Sequence, residues 1–158
     1  MRGEVTLHMV APPERVWGLV SDVTRIGRYS PETYEAKWEH GATGPAVGAT
    51  FRGHVKRNGW WPLHYWTTCT VSACEPGKTF EFGVGNDPAK PLNVWRYDIV
   101  ASGDGCDVTE SFTLSPTAGL RLYWTLLGWA RGKTNHDGMR ATLERVRADA
   151  ESAEATAP

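Results

Sequence analysis

The residue with the most chemical potential is Glu110, because of the company its strand keeps. In the stretch Trp95–Phe112 the turn Ser102-Gly103-Asp104-Gly105 joins two alternating runs. Closing it sets Ile99 opposite Val108, Tyr97 opposite Glu110 and Trp95 opposite Phe112. An ionised carboxylate on a face shared with those rings costs several kcal/mol unless it is paired or hydrated. Glu110 therefore needs a partner, water or a raised pKa. A carboxyl poised by desolvation can bind a ligand hydroxyl, or act as general acid or base on a ketone or enol. Arg96 points to the other face of a regular strand. Tyr97 can donate its hydroxyl, and His136, on the apolar side of a C-terminal helix, is the second candidate partner. The structural alternative is a hydrogen bond between Glu110 and Tyr97 or backbone, or a Glu exposed at a sheet edge.

Other chemistries lack their residue patterns. His8, His40, His54, His64 and His136 show no metal-ligand spacing and no cysteine accompanies them, so no metal is expected. His54 and His64 can meet across a hairpin as exposed cross-strand neighbours. There is no phosphate-binding glycine fingerprint and no nucleophile elbow, so no cofactor is expected. Seventeen basic against eighteen acidic residues give a net charge of −1, without the basic footprint of a nucleic-acid binder. Cys69, Cys74 and Cys106 are an odd number, and Cys69 and Cys74 fall on opposite faces of one regular strand; a reduced, cytoplasmic protein is expected. The N-terminus carries Glu4 and His8 inside its apolar run and does not read as a signal peptide.

The elements that would hold these groups are legible in order. Val5, Leu7 and Met9 alternate in a first strand. Pro13 and Glu14 open a short helix over 13–20, and a second short helix over 22–28 stops before Ser30-Pro31. Strands follow to about residue 115: Tyr34, Ala36 and Trp38 alternate, 49–57 ends at the hairpin signal Asn58-Gly59, and 62–74, 79–85, 92–101 and 106–114 complete the set. Turning at 76–77 sets Ala73 opposite Phe80, Val71 opposite Phe82 and Cys69 opposite Val84. Trp66 has the opposite parity from Val71, so either it lies outside or a bulge lies between them. Beyond them, Met139, Leu143, Val146 and Ala150 recur at helical spacing, whereas 120–130 is apolar almost all round and too short to span a membrane. Residues 152–158 read as a disordered tail.

One strand, two short helices, six strands and a long helix is the order of the α+β helix-grip fold, a curved seven-stranded antiparallel sheet around a C-terminal helix. The stretches PPERVWGLVSDVTRIGRYSP, VGATFRGHVKRNG, WTTCTVSACEPGKTFEF, WRYDIVASGDGCDVTESF and GMRATLERVRADAE resemble the polyketide cyclase/dehydrase-like branch of the START-related (SRPBCC) superfamily. The resemblance implies a single domain over 1–151 and a mainly apolar cavity between sheet and helix. From the sheet, Phe51, Val71, Phe80, Phe82, Trp95 and Phe112 are the expected lining. From the helix they are Leu122, Leu126, Trp129, Met139 and Leu143. Val55 stands where related sequences often carry a polar residue.

Three functions follow from the resemblance. The first is binding of a hydrophobic or amphipathic small molecule, lipid or polyketide-like. The second is a polyketide aromatase/cyclase or dehydrase in which Glu110, Tyr97 or His136 moves protons. The third is a partner- or membrane-contact protein with a filled interior. No nucleic-acid partner and no stable membrane insertion are expected, and the oligomeric state is left open. Gly119, Gly128 and Gly132 lower helix stability by roughly 1 kcal/mol each, which would let 120–130 act as a door or stay as core.

Overall fold

Alternation of buried and exposed residues over Arg2–Met9 makes the first strand, β1, with Val5 and Met9 facing inward. Pro12-Pro13 removes the backbone donors a strand would need, and the same geometry starts helix α1 (Pro13–Ser21), with Pro13 at the first helical position and Glu14 in its first turn. The second expected helix is divided: a 3₁₀ turn (Val23–Arg25) leads into α2 (Ile26–Tyr29). Asp22 causes the break, since its side chain accepts from the Thr24 amide and begins a new turn there. Six strands follow, β2 (Thr33–Trp38), β3 (Thr50–Arg57), β4 (Leu63–Glu75), β5 (Thr79–Val84), β6 (Asn93–Ser102) and β7 (Gly105–Leu114). Helix α3 (Ala118–Ser152) ends the fold. The computed structural model describes residues 2–57, 63–115 and 118–152, without the side chains of Arg57 and 118–133.

The seven strands form one curved antiparallel sheet in the order β1-β7-β6-β5-β4-β3-β2, and α3 lies in its concave face: a helix-grip α+β fold. Every pair except β1–β7 is a sequence neighbour, so β1 reaches its place only because α1 and α2 carry the chain from one edge of the sheet to the other. The β6–β7 register is the expected one, with Ile99 opposite Val108, Tyr97 opposite Glu110 and Trp95 opposite Phe112. Two bulges depart from simple alternation. One, between Val71 and Ala73, keeps Val71 opposite Phe82 but sets Cys74, not Ala73, opposite Phe80. It also returns Cys74 to the core side, so Cys69 and Cys74 do not face opposite ways; both are free thiols. The other, between Thr33 and Glu35, turns Tyr34 outward, where it meets the His54 ring. Trp66 lies outside on a regular β3–β4 ladder and stacks on His54 at 4.3 Å.

Met139, Leu143, Val146 and Ala150 are almost completely buried, which makes the last four turns of α3 the grip on the sheet. A polar clasp fixes the same turns to α1 and α2. The Tyr29 hydroxyl donates to Asp149 Oδ2 at 2.5 Å, Arg25 donates to the same oxygen at 3.3 Å, and Arg145 donates to the Tyr29 carbonyl at 2.8 Å. The Tyr29 hydrogen bond, reinforced by Arg25 and Arg28, holds the Asp149 carboxyl below its ordinary range. Its stabilising contribution is therefore complete above that range and is lost as pH falls through the depressed value. Tyr29→Phe is expected to lower unfolding free energy by about 1 kcal/mol at neutral pH, measured by urea titration, and the deficit should shrink in acid as Asp149 protonates in both proteins.

Candidate functional site

Alternation along β6 places Asn93, Trp95 and Tyr97 on the concave face, and alternation along β7 places Glu110, Phe112 and Leu114 beside them. These strands, with β3, β4 and β5, wall a cavity of about 430 Å³ roofed by Asn135 and Thr142 of α3. An adjoining space of about 300 Å³ runs between Pro31-Glu32 and the 134–142 turns of α3. Glu32, Trp95, Glu110, Asn135 and Thr142 border both. Glu110 thus sits at the junction of two lobes whose sizes fall in the ~300–1,000 Å³ range of small-molecule sites.

The junction is electrostatically unusual. Glu110 is 4% exposed, accepts one hydrogen bond from the Tyr97 hydroxyl at 3.0 Å, and leaves Oε2 with no partner among the described residues. Burial pushes its pKa up to about 8, although the Tyr97 hydrogen bond works in the opposite direction. Burial and the neighbouring carboxyl push Tyr97 well above the ordinary phenol range, so it stays a neutral donor. At neutral pH the pair is a carboxylic acid and a phenol, with the acid's second oxygen free to meet a third group. Among the described residues no cluster of His, Cys, Asp and Glu is arranged to hold a metal ion.

The structure brings together some of the expected residues and separates others. Phe51, Phe82, Trp95 and Phe112 line the larger lobe with Tyr97 and Glu110, and Met139 lines the smaller. Val71, Phe80 and Leu143 belong instead to the close-packed core beside it, none more than 1% exposed. His136 does not reach Glu110: its side chain is 56% exposed and lies 3.8 Å from Asp137. The seam of α3 runs through Asn135, Met139, Thr142, Val146 and Ala150, and one residue's rotation of 100° carries His136 off it. Leu122, Leu126 and Trp129, and with them the door at 120–130, have side chains outside the described residues, as does the tail beyond Ser152.

Several lining residues were missed by inspection of apolar positions alone. Tyr65, Thr67 and Cys69 line the cavity on the same parity of β4, and Val55 and Gly53 lie opposite them on β3. Strict alternation through His64 and Trp66 would have identified them. Asn93 and Thr142 are polar and were passed over for that reason, although alternation with Trp95 and Tyr97 puts Asn93 on the inward face and Thr142 lies one helical step from Met139.

Comparison with known proteins agrees with this geometry. The model of the family described as polyketide cyclase / dehydrase and lipid transport matches residues 2–151. A polyketide cyclase-like protein from Corynebacterium glutamicum is 27% identical, with TM-score 0.56 over 97% of this chain and 91% of its own. A protein from Nitrosomonas europaea superposes with TM-score 0.70 at 13% identity, covering 98% of this chain and 97% of that one. The di-domain aromatase/cyclase StfQ of the steffimycin biosynthetic pathway gives TM-score 0.65 at 12% identity, over 98% of this chain and 51% of its own, so this chain spans about half of it. A search of curated proteins finds no significant match.

The raised titration of Glu110 makes a stability prediction. The folded state holds the proton more tightly than the unfolded chain, so the stability gained is complete below the ordinary value of 4.5 and is lost as pH rises through about 8. Glu110→Gln removes this proton from the balance. Urea denaturation from about pH 5 to about pH 9 should show the wild type losing a few kcal/mol, on the order of its pKa shift, relative to the variant.

Proposed function

Because this chain belongs to the polyketide cyclase/dehydrase and lipid transport family, we propose that it binds an amphipathic, mainly apolar small molecule in the cavity between sheet and α3, and that Glu110 is its polar anchor. The unpartnered Oε2 of Glu110, in a cavity whose wall also holds Phe51, Phe82, Trp95 and Phe112, carries this reading. A buried polar atom without a partner is costly in a finished core and useful in a site awaiting a ligand. A filled interior, which a pure contact protein would have, is at odds with a 430 Å³ cavity.

The Glu110–Tyr97 pair also favours a second reading, proton transfer in a cyclase or dehydrase. A carboxyl with pKa about 8 is mostly protonated at neutral pH and can donate to a carbonyl or a departing hydroxyl, while Tyr97 orients it. The cavity would supply the other part of the rate by holding a flexible keto chain in one folded conformation. No helix among the described residues is long and apolar enough to cross a membrane.

Native mass spectrometry of the purified protein should reveal a retained apolar ligand. Tryptophan fluorescence should respond when that ligand is restored, because Trp95 is in the wall. Val55→Phe, which projects a ring into the cavity, should abolish retention while the protein stays folded. Retention undiminished by Val55→Phe would refute the site. Chemical conversion of the ligand by wild type but not by Glu110→Gln would establish the enzymatic reading, and binding without conversion would leave the carrier reading alone.

A further inference from the structure

The wall that carries Glu110 holds a second buried oxygen that no described group satisfies. Asn93 Oδ1 has no hydrogen-bond partner among the described residues, and Asn93 lines the same cavity as Glu110. It opens β6 between Val84 of β5 and Leu114 of β7. Asn93 and Tyr97 are four residues apart on one strand, so they share a face with about 13 Å between their Cα atoms. Tyr97 lies opposite Glu110, which places the amide and the carboxyl toward the two ends of one row. Between them Trp95 and Phe112 face each other, ring centroids 4.9 Å apart. A protein core either pairs such polar groups or omits them; a row that runs polar, aromatic, polar matches the outline of a molecule.

We propose that Asn93 is a second, specificity-determining anchor. The ligand is a flat molecule without an anionic group, with a hydrogen-bond donor at the Asn93 end, a hydroxyl or carbonyl at the Glu110 end, and an apolar body across Trp95 and Phe112. The inference rests on the cavity being a binding site. Asn93 also carries a donating NH2, but the oxygen is the atom left without a partner, and a hydroxyl or N–H at this end satisfies it where an ether or ketone does not. The other end is less selective, since a carboxylic acid both donates and accepts. Negative charge is disfavoured because the described lining residues include Glu32 and Glu110 but no Lys or Arg. A carboxylate or phosphate would enter beside acids with no counter-ion.

The test is calorimetric titration at neutral pH with two probes, biphenyl bearing a hydroxyl at both para ends and biphenyl bearing only one. Wild type is expected to bind the diol about tenfold more tightly, because only the diol satisfies both oxygens at once. Asn93→Leu should bring the two probes within about twofold, and Asn93→Asp, which keeps an accepting oxygen, should retain the preference for the diol. Equal binding of the two probes by wild type overturns the inference without recourse to any variant. So does a preference that survives in Asn93→Leu; in both cases the cavity still stands as a binding site. If neither probe binds the wild type, the cavity does not accept a flat apolar body of this length and the inference is overturned, while ligand retention and its loss in Val55→Phe decide the binding function separately.

Discussion

A carboxyl placed between a sheet and a helix forbids the two from closing on it. Below Glu110, toward the Ser102–Gly105 turn, Ile99 and Val108 are buried in the same hydrophobic core as Val146 and Ala150. At Glu110 itself apolar packing would strand the carboxyl in a low dielectric, and one phenol cannot satisfy both of its oxygens. Space opens from that level outward, past Trp95 and Phe112 to Asn93 and Leu114. The grip is therefore graded: tight where α3 carries Val146 and Ala150, open where it carries Asn135 and Thr142.

That gradient divides the work between the two ends of the molecule. The tight end bears the burden of stability, since Leu143, Val146, Ala150 and the Asp149 clasp hold α3 without help from the cavity. The open end can then carry groups that a stable core would exclude. A bound molecule that satisfies Glu110 would add its binding free energy to folding, so the occupied protein should be the more stable form by simple mass action. In an active site the same arrangement keeps an acid protonated at neutral pH, where an exposed glutamate would have lost its proton.

Much of this was legible in the amino-acid order where local rules decide. The Ser-Gly-Asp-Gly turn admits one close pairing, and the β6–β7 register with Tyr97 opposite Glu110 follows from it. Amphipathic spacing located the gripping turns of α3, whereas alternation left Trp66 either outside or beside a bulge, and the regular β3–β4 register puts it outside. The failures have a common cause, the insertion of one residue or one rotation that local pattern does not announce. The bulge after Val71 reverses the parity of Cys74, the bulge near Thr33 turns out Tyr34, and a helix seam displaced by one residue removes His136 from the cavity. Polar lining residues such as Asn93 and Thr142 were passed over for another reason: side-chain polarity predicts exposure, and the lining of a cavity is where that rule is suspended.

Cys69 shows what the cavity tolerates. Its sulfur belongs to the wall, and burial raises the thiol to about 12 despite a contact with the Thr67 hydroxyl. Nucleophilic attack by sulfur requires the thiolate, and at neutral pH the thiolate fraction here is negligible. An electrophilic guest, an enone for example, could rest beside this cysteine without being captured by it. At this position the wall is thus soft and polarisable yet inert as a nucleophile, which leaves proton transfer, not sulfur chemistry, as the reactivity the lining offers.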